Sequence, residues 1–135
     1  MSEKKRVEVV AAVIEFDGQI LCVQRGENKY DYISCKWEFP GGKIEGDETE
    51  EQALTREIQE ELHVKIWVGE KLVTVNHEYP DFILCMHAYR CTVDSPTVHL
   101  TEHIALDWVG LSHLQVFDWA AADIPIVEKL TNGSV

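Results

Sequence analysis

Three glutamates, Glu57, Glu60 and Glu61, stand at positions i, i+3 and i+4 of a segment whose composition predicts a helix. This spacing brings their side chains to one side of the helix, where like charges cost a few tenths of a kcal/mol per pair. Convergent carboxylate oxygens are also the ligands that a hard divalent cation such as Mg²⁺ prefers. Taken alone, the pattern leaves two interpretations open, a metal-binding face and a solvated acidic face.

The helix itself is well specified. Thr49 is a suitable N-cap, and Gln52 three residues later completes a capping-box pattern. Between them and Leu62 there is no glycine or proline. Leu54, Ile58 and Leu62 form one apolar stripe at helical spacing, so we expect this stripe to pack on a core while the glutamates face elsewhere.

The segment resembles the Nudix box, G-x5-E-x7-R-E-U-x-E-E-x-G-U, where U is a bulky aliphatic residue. The matching residues are Gly42, Glu48, Arg56, Glu57, Ile58, Glu60, Glu61 and Val64. Eight specified residues in one register are far more specific than a short glycine motif. The single departure is His63, which stands where the family has a helix-ending glycine; we expect strain of about 1 kcal/mol there and no lost ligand.

The resemblance implies a Nudix α/β/α sandwich with a mixed central sheet, formed as a single domain over residues 1–135. The sequence predicts a hairpin over residues 7–24 with its turn at Asp17-Gly18, a strand at 37–39, and a glycine turn at Gly41-Gly42. After the helix it predicts strands at 64–77, 81–92 and 104–109, a short helix at 111–116 and a closing helix at 124–130. Asp123 is the expected N-cap of that closing helix, and residues 131–135 are expected to be frayed.

Nudix enzymes use Mg²⁺ or Mn²⁺ and water to cleave a nucleoside diphosphate linked to a further group. The resemblance therefore implies a metal site formed by the Gly41 carbonyl and by Glu57, Glu60 and Glu61. Glu57 is the usual candidate for the general base, and Glu102 is a second candidate for ligand or base. These four glutamates are the candidate catalytic residues.

Supporting roles are expected for three further residues. Arg56 can orient Glu48 or Glu60 through paired hydrogen bonds, and Glu48 would then hold the metal ligands indirectly. Gly42 belongs to the glycine turn before the helix.

Residues outside the box also resemble the MutT branch of the family, over 9–25, 37–43 and 122–125. That branch implies hydrolysis of a nucleoside triphosphate, (d)CTP-like or 8-oxo-dGTP, to the monophosphate and pyrophosphate. The expected substrate contacts are Arg25 and Lys43 at the phosphates and Phe39 and Asp123 near the base. An ionised Asp123 would accept hydrogen bonds from a base; the alternative is a helix cap that never meets substrate.

Composition limits the partners. The net charge of −12 argues against nucleic-acid binding, since neutralising phosphates dominates that affinity. An acidic protein can accept a nucleotide if Mg²⁺ lies between the glutamates and the phosphates. The 135 residues contain no apolar run long enough to cross a membrane, and four cysteines lack disulfide or zinc spacing. We expect a cytoplasmic protein, a monomer or weak homodimer, with no role for its six histidines in catalysis.

Two other functions remain open from the sequence. One is a Nudix hydrolase of a different substrate, such as ADP-ribose or a dinucleoside polyphosphate. The other is a non-catalytic Nudix-fold module that binds a nucleotide or a partner.

Overall fold

The computed structural model describes residues 4–132 and consists of one seven-stranded mixed sheet with a helical layer on each face. The strands are β1 (Lys5–Phe16), β2 (Gln19–Gln24), β3 (Trp37–Glu38), β4 (Gly41–Lys43), β5 (Trp67–Glu78), β6 (Phe82–Thr92) and β7 (Ala105–Val109). The α-helices are α1 (Glu50–Leu62) and α2 (Ile124–Asn132), and two 3₁₀ helices span Leu111–Val116 and Ala121–Asp123.

Strand β1 is the centre of the sheet. It runs parallel to β6 along its whole length, and it pairs antiparallel with β2 near the hairpin and with β4 further back. The path β3-β2-β1-β6-β5 is completed by β7, which pairs with the other edge of β2. The hairpin turn is as predicted: Asp17 and Gly18 have φ values of 52° and 77°, the left-handed region that a tight hairpin needs.

The first helical layer is α1. Thr49 accepts from the Gln52 N–H and the Gln52 side chain accepts from the Thr49 N–H, so the predicted capping box is confirmed. Leu54, Ile58 and Leu62 are fully buried. They pack with the β1 residues whose side chains face this side of the sheet, Val10, Ala12 and Ile14.

The second layer covers the opposite face. Ala11 and Val13 of β1 point there, because successive side chains of a strand alternate between faces. They share a core with Leu114 of the first 3₁₀ helix, with Trp119 of the segment between the two 3₁₀ helices, and with Ile126 of α2. Both faces of the sheet are therefore covered, and the predicted α/β/α sandwich is confirmed.

The helix end at His63 is as expected. His63 adopts a left-handed conformation with φ 55° and ψ 42°, and its N–H donates to the Gln59 carbonyl at 3.1 Å. Histidine thus takes the αL position that glycine occupies in the family pattern.

Three local expectations were wrong. Gly41 and Gly42 do not form a turn: they belong to β4, paired with Ala11 and Val10, and the turn comes later, at Gly46 with φ 52°. Residues 131 and 132 continue α2 instead of fraying, and 133–135 lie outside the described residues. The short helix predicted at 111–116 is confirmed, and it is a 3₁₀ helix.

The third error concerns Asp123, which was expected to cap α2. A 3₁₀ turn runs directly into α2 at this point, and Asp123 is its last residue. Its carboxylate accepts instead from the Phe39 N–H at 3.0 Å. Asp123 therefore joins the end of β3 to the start of α2.

No helix within residues 4–132 is long and apolar enough to cross a membrane. All four cysteines are free thiols: Cys22, Cys85 and Cys91 are buried and Cys35 is exposed. The expectation of mostly buried, unpaired cysteines is confirmed.

Candidate active site

The four candidate catalytic glutamates lie together in one acidic cleft of about 330 Å³. Its lining residues are Lys43, Glu45, Glu57, Glu60, Glu61, Thr101 and Glu102. Helix α1 supplies the three box glutamates. Glu102 comes from the loop before β7, which is attached to the end of α1 by hydrogen bonds from Thr101 to the Glu61 carbonyl and from His99 to the Leu62 carbonyl.

Arg56 is the centre of the charge network in this cleft. Its Nε and Nη2 donate to both oxygens of Glu48 at 2.6 and 2.9 Å, and its Nη1 donates to Glu57 at 2.8 Å and Glu60 at 2.9 Å. The ion pairs raise the pKa of Arg56, with Glu48 the largest cause, and Arg56 in turn lowers the pKa of Glu48. Nη2 also donates to the Lys43 carbonyl at 3.0 Å, which ties β4 to α1. The pairing that the sequence suggested for Arg56 is thus formed with Glu48, while its role in catalysis stays a prediction.

Two glycines allow β4 to lie in this position. A Cβ at Gly41 would overlap the Val10 carbonyl of β1, and a Cβ at Gly42 would overlap the Glu57 carboxylate. The first glycine lets β4 pair with β1, and the second lets Glu57 lie directly against the backbone.

Glu61 is the most perturbed carboxylate of the cleft. Burial, followed by the charges of Glu57, Glu38 and Glu102, raises the pKa of Glu61 to about 8, and the Gly41 N–H partly opposes this shift. Among the residues that the structure describes, its Oε1 is a buried oxygen without a hydrogen-bond partner. A buried, unpartnered oxygen among like charges is a costly arrangement unless a cation completes it. The residues present therefore fit a divalent metal ion.

The four candidate substrate residues line a second cleft, of about 430 Å³. Arg25 follows β2, Phe39 follows β3, Lys43 ends β4 and Asp123 precedes α2. Lys43 lines both clefts, so the acidic cleft and this second cleft meet at β4. Phe39 is only 3% exposed and stacks on Trp119 with ring centroids 4.7 Å apart, so its main contact is within the core.

Asp123 is a buried acid that lines the second cleft. Burial, reinforced by the charge of Glu38, raises the pKa of Asp123 well above its usual range, while the Phe39 N–H and Arg25 oppose the shift. This shift favours the protonated form of the carboxyl group, which the sequence-based expectation of an ionised acceptor did not include. A protonated carboxyl group has one donor and retains an acceptor oxygen.

Glu38 and His103 were missed by the sequence analysis. Glu38 lines the second cleft, where one oxygen lies 3.2 Å from Arg25 Nε and the other 3.0 Å from His103 Nε2. One signal was available for Glu38: it alternates with Trp37 and Phe39, both of which pack in the core, so its side chain had to point away from that core. No local pattern indicates its pairing with His103, 65 positions later.

A mixed central sheet lies between two helical layers, and the N-capped helix on one face carries three of the four glutamates of the acidic cleft. A family model for the NUDIX domain matches residues 9–129. The chain therefore belongs to the Nudix family and is a Nudix hydrolase.

Similar proteins cover almost the whole chain. It is 41% identical over 124 residues to the CTP pyrophosphohydrolase of Escherichia coli strain K12, covering 92% of this chain and 90% of that protein. It is 39% identical over 131 residues to the 8-oxo-dGTP diphosphatase of Haemophilus influenzae strain Rd, covering 96% and 95%. The crystal structure of a MutT protein from Methanosarcina mazei Go1 matches with a TM-score of 0.86 at 28% identity, covering 98% of both chains.

Proposed function

We propose that the protein hydrolyses a nucleoside triphosphate, (d)CTP-like or 8-oxo-dGTP, to the nucleoside monophosphate and pyrophosphate. The observation that carries the proposal is the junction at Lys43. Four glutamates line one cleft, the buried Asp123 lines the other, and Lys43 lines both. A triphosphate in the acidic cleft would extend its nucleoside into the second cleft.

The Gly41 carbonyl, Glu57, Glu60 and Glu61 hold Mg²⁺, or Mn²⁺, in this proposal. When bound, the ion screens the phosphates, stabilises the leaving oxygen and makes water a stronger nucleophile. The unpartnered Oε1 of Glu61 supports this assignment, as does a donor set made of oxygen alone, which favours hard cations over zinc. The ion also reconciles a net charge of −12 with an anionic substrate.

The chain's own residues hold the geometry and accept the proton. A water attacks the β-phosphorus, its proton passes to a carboxylate of the acidic cleft, and the bond from the β-phosphorus to the oxygen shared with the α-phosphate breaks, so that the nucleoside monophosphate leaves and pyrophosphate remains. Glu57 is the first candidate, because Arg56 and Gly42 fix its position and its side chain is only 15% exposed. Glu102 is the second candidate, and its exposed side chain lines the same cleft. Lys43 and Arg25 bind phosphate oxygens.

Asp123 and Glu38 contact the base in this proposal and determine which base is accepted. A protonated Asp123 offers a donor and an acceptor side by side, which match the ring nitrogen and amino group of cytosine. The ionised form is an acceptor only, which matches the two donors on the pairing edge of guanine. Burial favours the protonated form, and a base that donates two hydrogen bonds would favour the ionised form, which supports a site that accepts both kinds of base.

A nucleotide panel tests the function. The full-length protein is incubated with CTP, dCTP, 8-oxo-dGTP, ADP-ribose and a dinucleoside polyphosphate, with Mg²⁺ and with EDTA. We expect Mg²⁺-dependent release of pyrophosphate and monophosphate from one or more triphosphates, and a loss of about 10²-fold or more in Glu57→Gln. Preferential cleavage of ADP-ribose would contradict the substrate assignment, and binding without hydrolysis would contradict catalysis.

The remaining properties follow the same proposal. Four free thiols suit a reducing, cytoplasmic compartment, and the negative charge disfavours nucleic acid and anionic membranes. We expect a monomer or weak homodimer.

A further inference from the structure

A second group of metal-ligand side chains lies on the sheet, away from both clefts. Glu8 of β1 is paired with Cys85 of the parallel strand β6, and His87 follows two residues later on β6. Paired residues, and residues two apart on one strand, point to the same face of a sheet. The three side chains therefore share one face, next to the beginning of α1, where Glu50 reaches His87.

The separations match a zinc site. Nε2 of His87 lies 3.0 Å from an Oε1 of Glu8 and 3.7 Å from the Sγ of Cys85, and the three ligand atoms all lie within 4.8 Å of one another. A tetrahedral zinc ion with bonds of about 2.1 Å to nitrogen or oxygen and 2.3 Å to sulfur holds such ligands about 3.3–3.6 Å apart. The two separations from His87 differ from these values by a few tenths of an ångström, and the third, between Glu8 and Cys85, is no more than 4.8 Å.

We propose that Glu8, Cys85 and His87 bind one thiophilic divalent transition metal ion, Zn²⁺ in chemical class, with solvent at the fourth position. A set of one sulfur, one imidazole nitrogen and one carboxylate oxygen favours zinc over Mg²⁺. This separates the site from the all-oxygen acidic cleft. The proposal does not depend on the proposed hydrolase function.

The surroundings of His87 support the site. Nδ1 of His87, on the side of the ring away from the ligand atom, lies 3.3 Å from the Thr74 hydroxyl and 3.5 Å from a Glu50 oxygen. Zinc-ligating histidines commonly donate this second N–H to such oxygen atoms, which fixes the ring. Lys71 Nζ also lies 3.0 Å from Nδ1, and it has an alternative partner in Glu50 at 3.0 Å.

Access and charge are compatible with an ion. Cys85 and His87 are buried, whereas the Glu8 side chain is 44% exposed and provides a path from solvent. Arg6 and Lys71 bring positive charge, and Glu8 and Glu50 offset it.

Burial and the charge of Glu8 raise the pKa of the Cys85 thiol. Binding the metal through the Cys85 sulfur displaces the thiol proton, so Cys85 releases one proton per ion.

Cobalt titration tests the site in the full-length protein. Co²⁺ is added under reducing conditions with excess Mg²⁺, and the near-ultraviolet charge-transfer band of a Co²⁺–thiolate bond is recorded. We expect a band that saturates at one ion per chain and is removed by added Zn²⁺. Cys85→Ser should abolish the band, and Glu8→Gln, at a half-exposed position, should weaken Co²⁺ affinity by about 10-fold or more.

Cys35→Ser is the matched control, since Cys35 is the exposed thiol most open to adventitious metal. We expect it to keep the band unchanged. Absence of a band in the wild-type protein, a band that survives Cys85→Ser, or a band that is lost in Cys35→Ser would overturn the proposal. Far-ultraviolet circular dichroism checks folding of Cys85→Ser, and Glu8→Gln keeps the test decisive if that variant is unfolded: unchanged affinity in Glu8→Gln would also overturn it.

Discussion

Gly42 lies so close to Glu57 that a single Cβ on this glycine would overlap the Glu57 carboxylate. The atoms in the way are the end of a flexible side chain, which can move. At the neighbouring Gly41, the obstacle is the Val10 carbonyl, which cannot move without disturbing β1. Two adjacent glycines of one strand therefore have different physical reasons to be glycine.

Gly42→Ala should therefore lower the activity, whereas Gly41→Ala should lower the stability. Gly42→Ala displaces Glu57 and should lower kcat about 10–100-fold, with the free energy of unfolding changed by less than about 1 kcal/mol. Gly41→Ala should destabilise the protein by more than about 2 kcal/mol, because the backbone of β4 must separate from β1. Urea unfolding and steady-state kinetics on both variants measure the contrast. A stable, fully active Gly42→Ala would contradict the proposed role of Glu57.

Arg56→Lys tests whether the guanidinium positions the metal ligands. Lysine keeps the positive charge. It cannot donate two hydrogen bonds to Glu48 and also reach Glu57 and Glu60. We expect kcat/KM to fall about 10–100-fold and the Mg²⁺ concentration needed for half-maximal activity to rise. Arg90→Lys, which removes a surface arginine paired with Glu15 and Glu70, is the control and should behave like the wild type. An equal loss of kcat/KM in Arg56→Lys and Arg90→Lys would contradict a specific role of the Arg56 guanidinium in positioning the metal ligands.

Glu61 should make the metal-free protein less stable as the pH rises. Its pKa is about 8 in the folded protein against an ordinary value of 4.5, so the folded state keeps a proton that the unfolded state releases. Its contribution is complete below pH 4.5 and is lost as the pH approaches 8. In EDTA, Glu61→Gln should therefore exceed the wild type in stability near pH 8, on the order of 2 kcal/mol, and match it near pH 4.5.

Thermal unfolding across this pH range provides the measurement for Glu61. Glu60→Gln is the control, since it removes the same charge from a side chain that is 56% exposed. A pH-independent difference between Glu61→Gln and the wild type would show that the Glu61 carboxyl group does not retain its proton. Addition of Mg²⁺ should reverse the ranking at pH 8, because only the wild type then has the ionised ligand.

Asp123→Asn should change base selectivity. The amide can still donate to a cytosine ring nitrogen, but its NH₂ group opposes the two donors of a guanine edge. We expect the ratio of kcat/KM for CTP over 8-oxo-dGTP to rise about 10-fold or more, with Mg²⁺ binding unchanged. Asp118→Asn, at an exposed aspartate paired with Lys36, should leave the ratio as it is. An unchanged ratio in Asp123→Asn would remove this residue from the base pocket.

Features fixed by local chemistry were predictable from the sequence. The capping box at Thr49, the hairpin turn at Asp17-Gly18 and the left-handed end at His63 each depend on a few neighbouring residues, and each is confirmed. The apolar stripe of α1 identified its core face for the same reason.

The features that the sequence did not reveal depend on distant partners. Gly41 and Gly42 suggested a turn, yet they are glycine because β1 and Glu57 come close. Asp123 has the sequence position of a helix cap, but its carboxylate accepts a hydrogen bond from the buried Phe39 N–H instead. Glu38 became a candidate only once Arg25 and His103 were seen on either side of it. Family resemblance implied which eight residues serve the metal and the substrate, the structure shows that they line two adjoining clefts, and their catalytic and binding roles remain predictions.

Calorimetric titration of Mg²⁺ into the protein, with and without a triphosphate that cannot be hydrolysed, tests the proposed metal site most directly. We expect Mg²⁺ binding that strengthens when the triphosphate is present and is lost in Glu61→Gln. Absence of Mg²⁺ and Mn²⁺ binding to the wild-type protein in the presence of the triphosphate would contradict the proposed metal site.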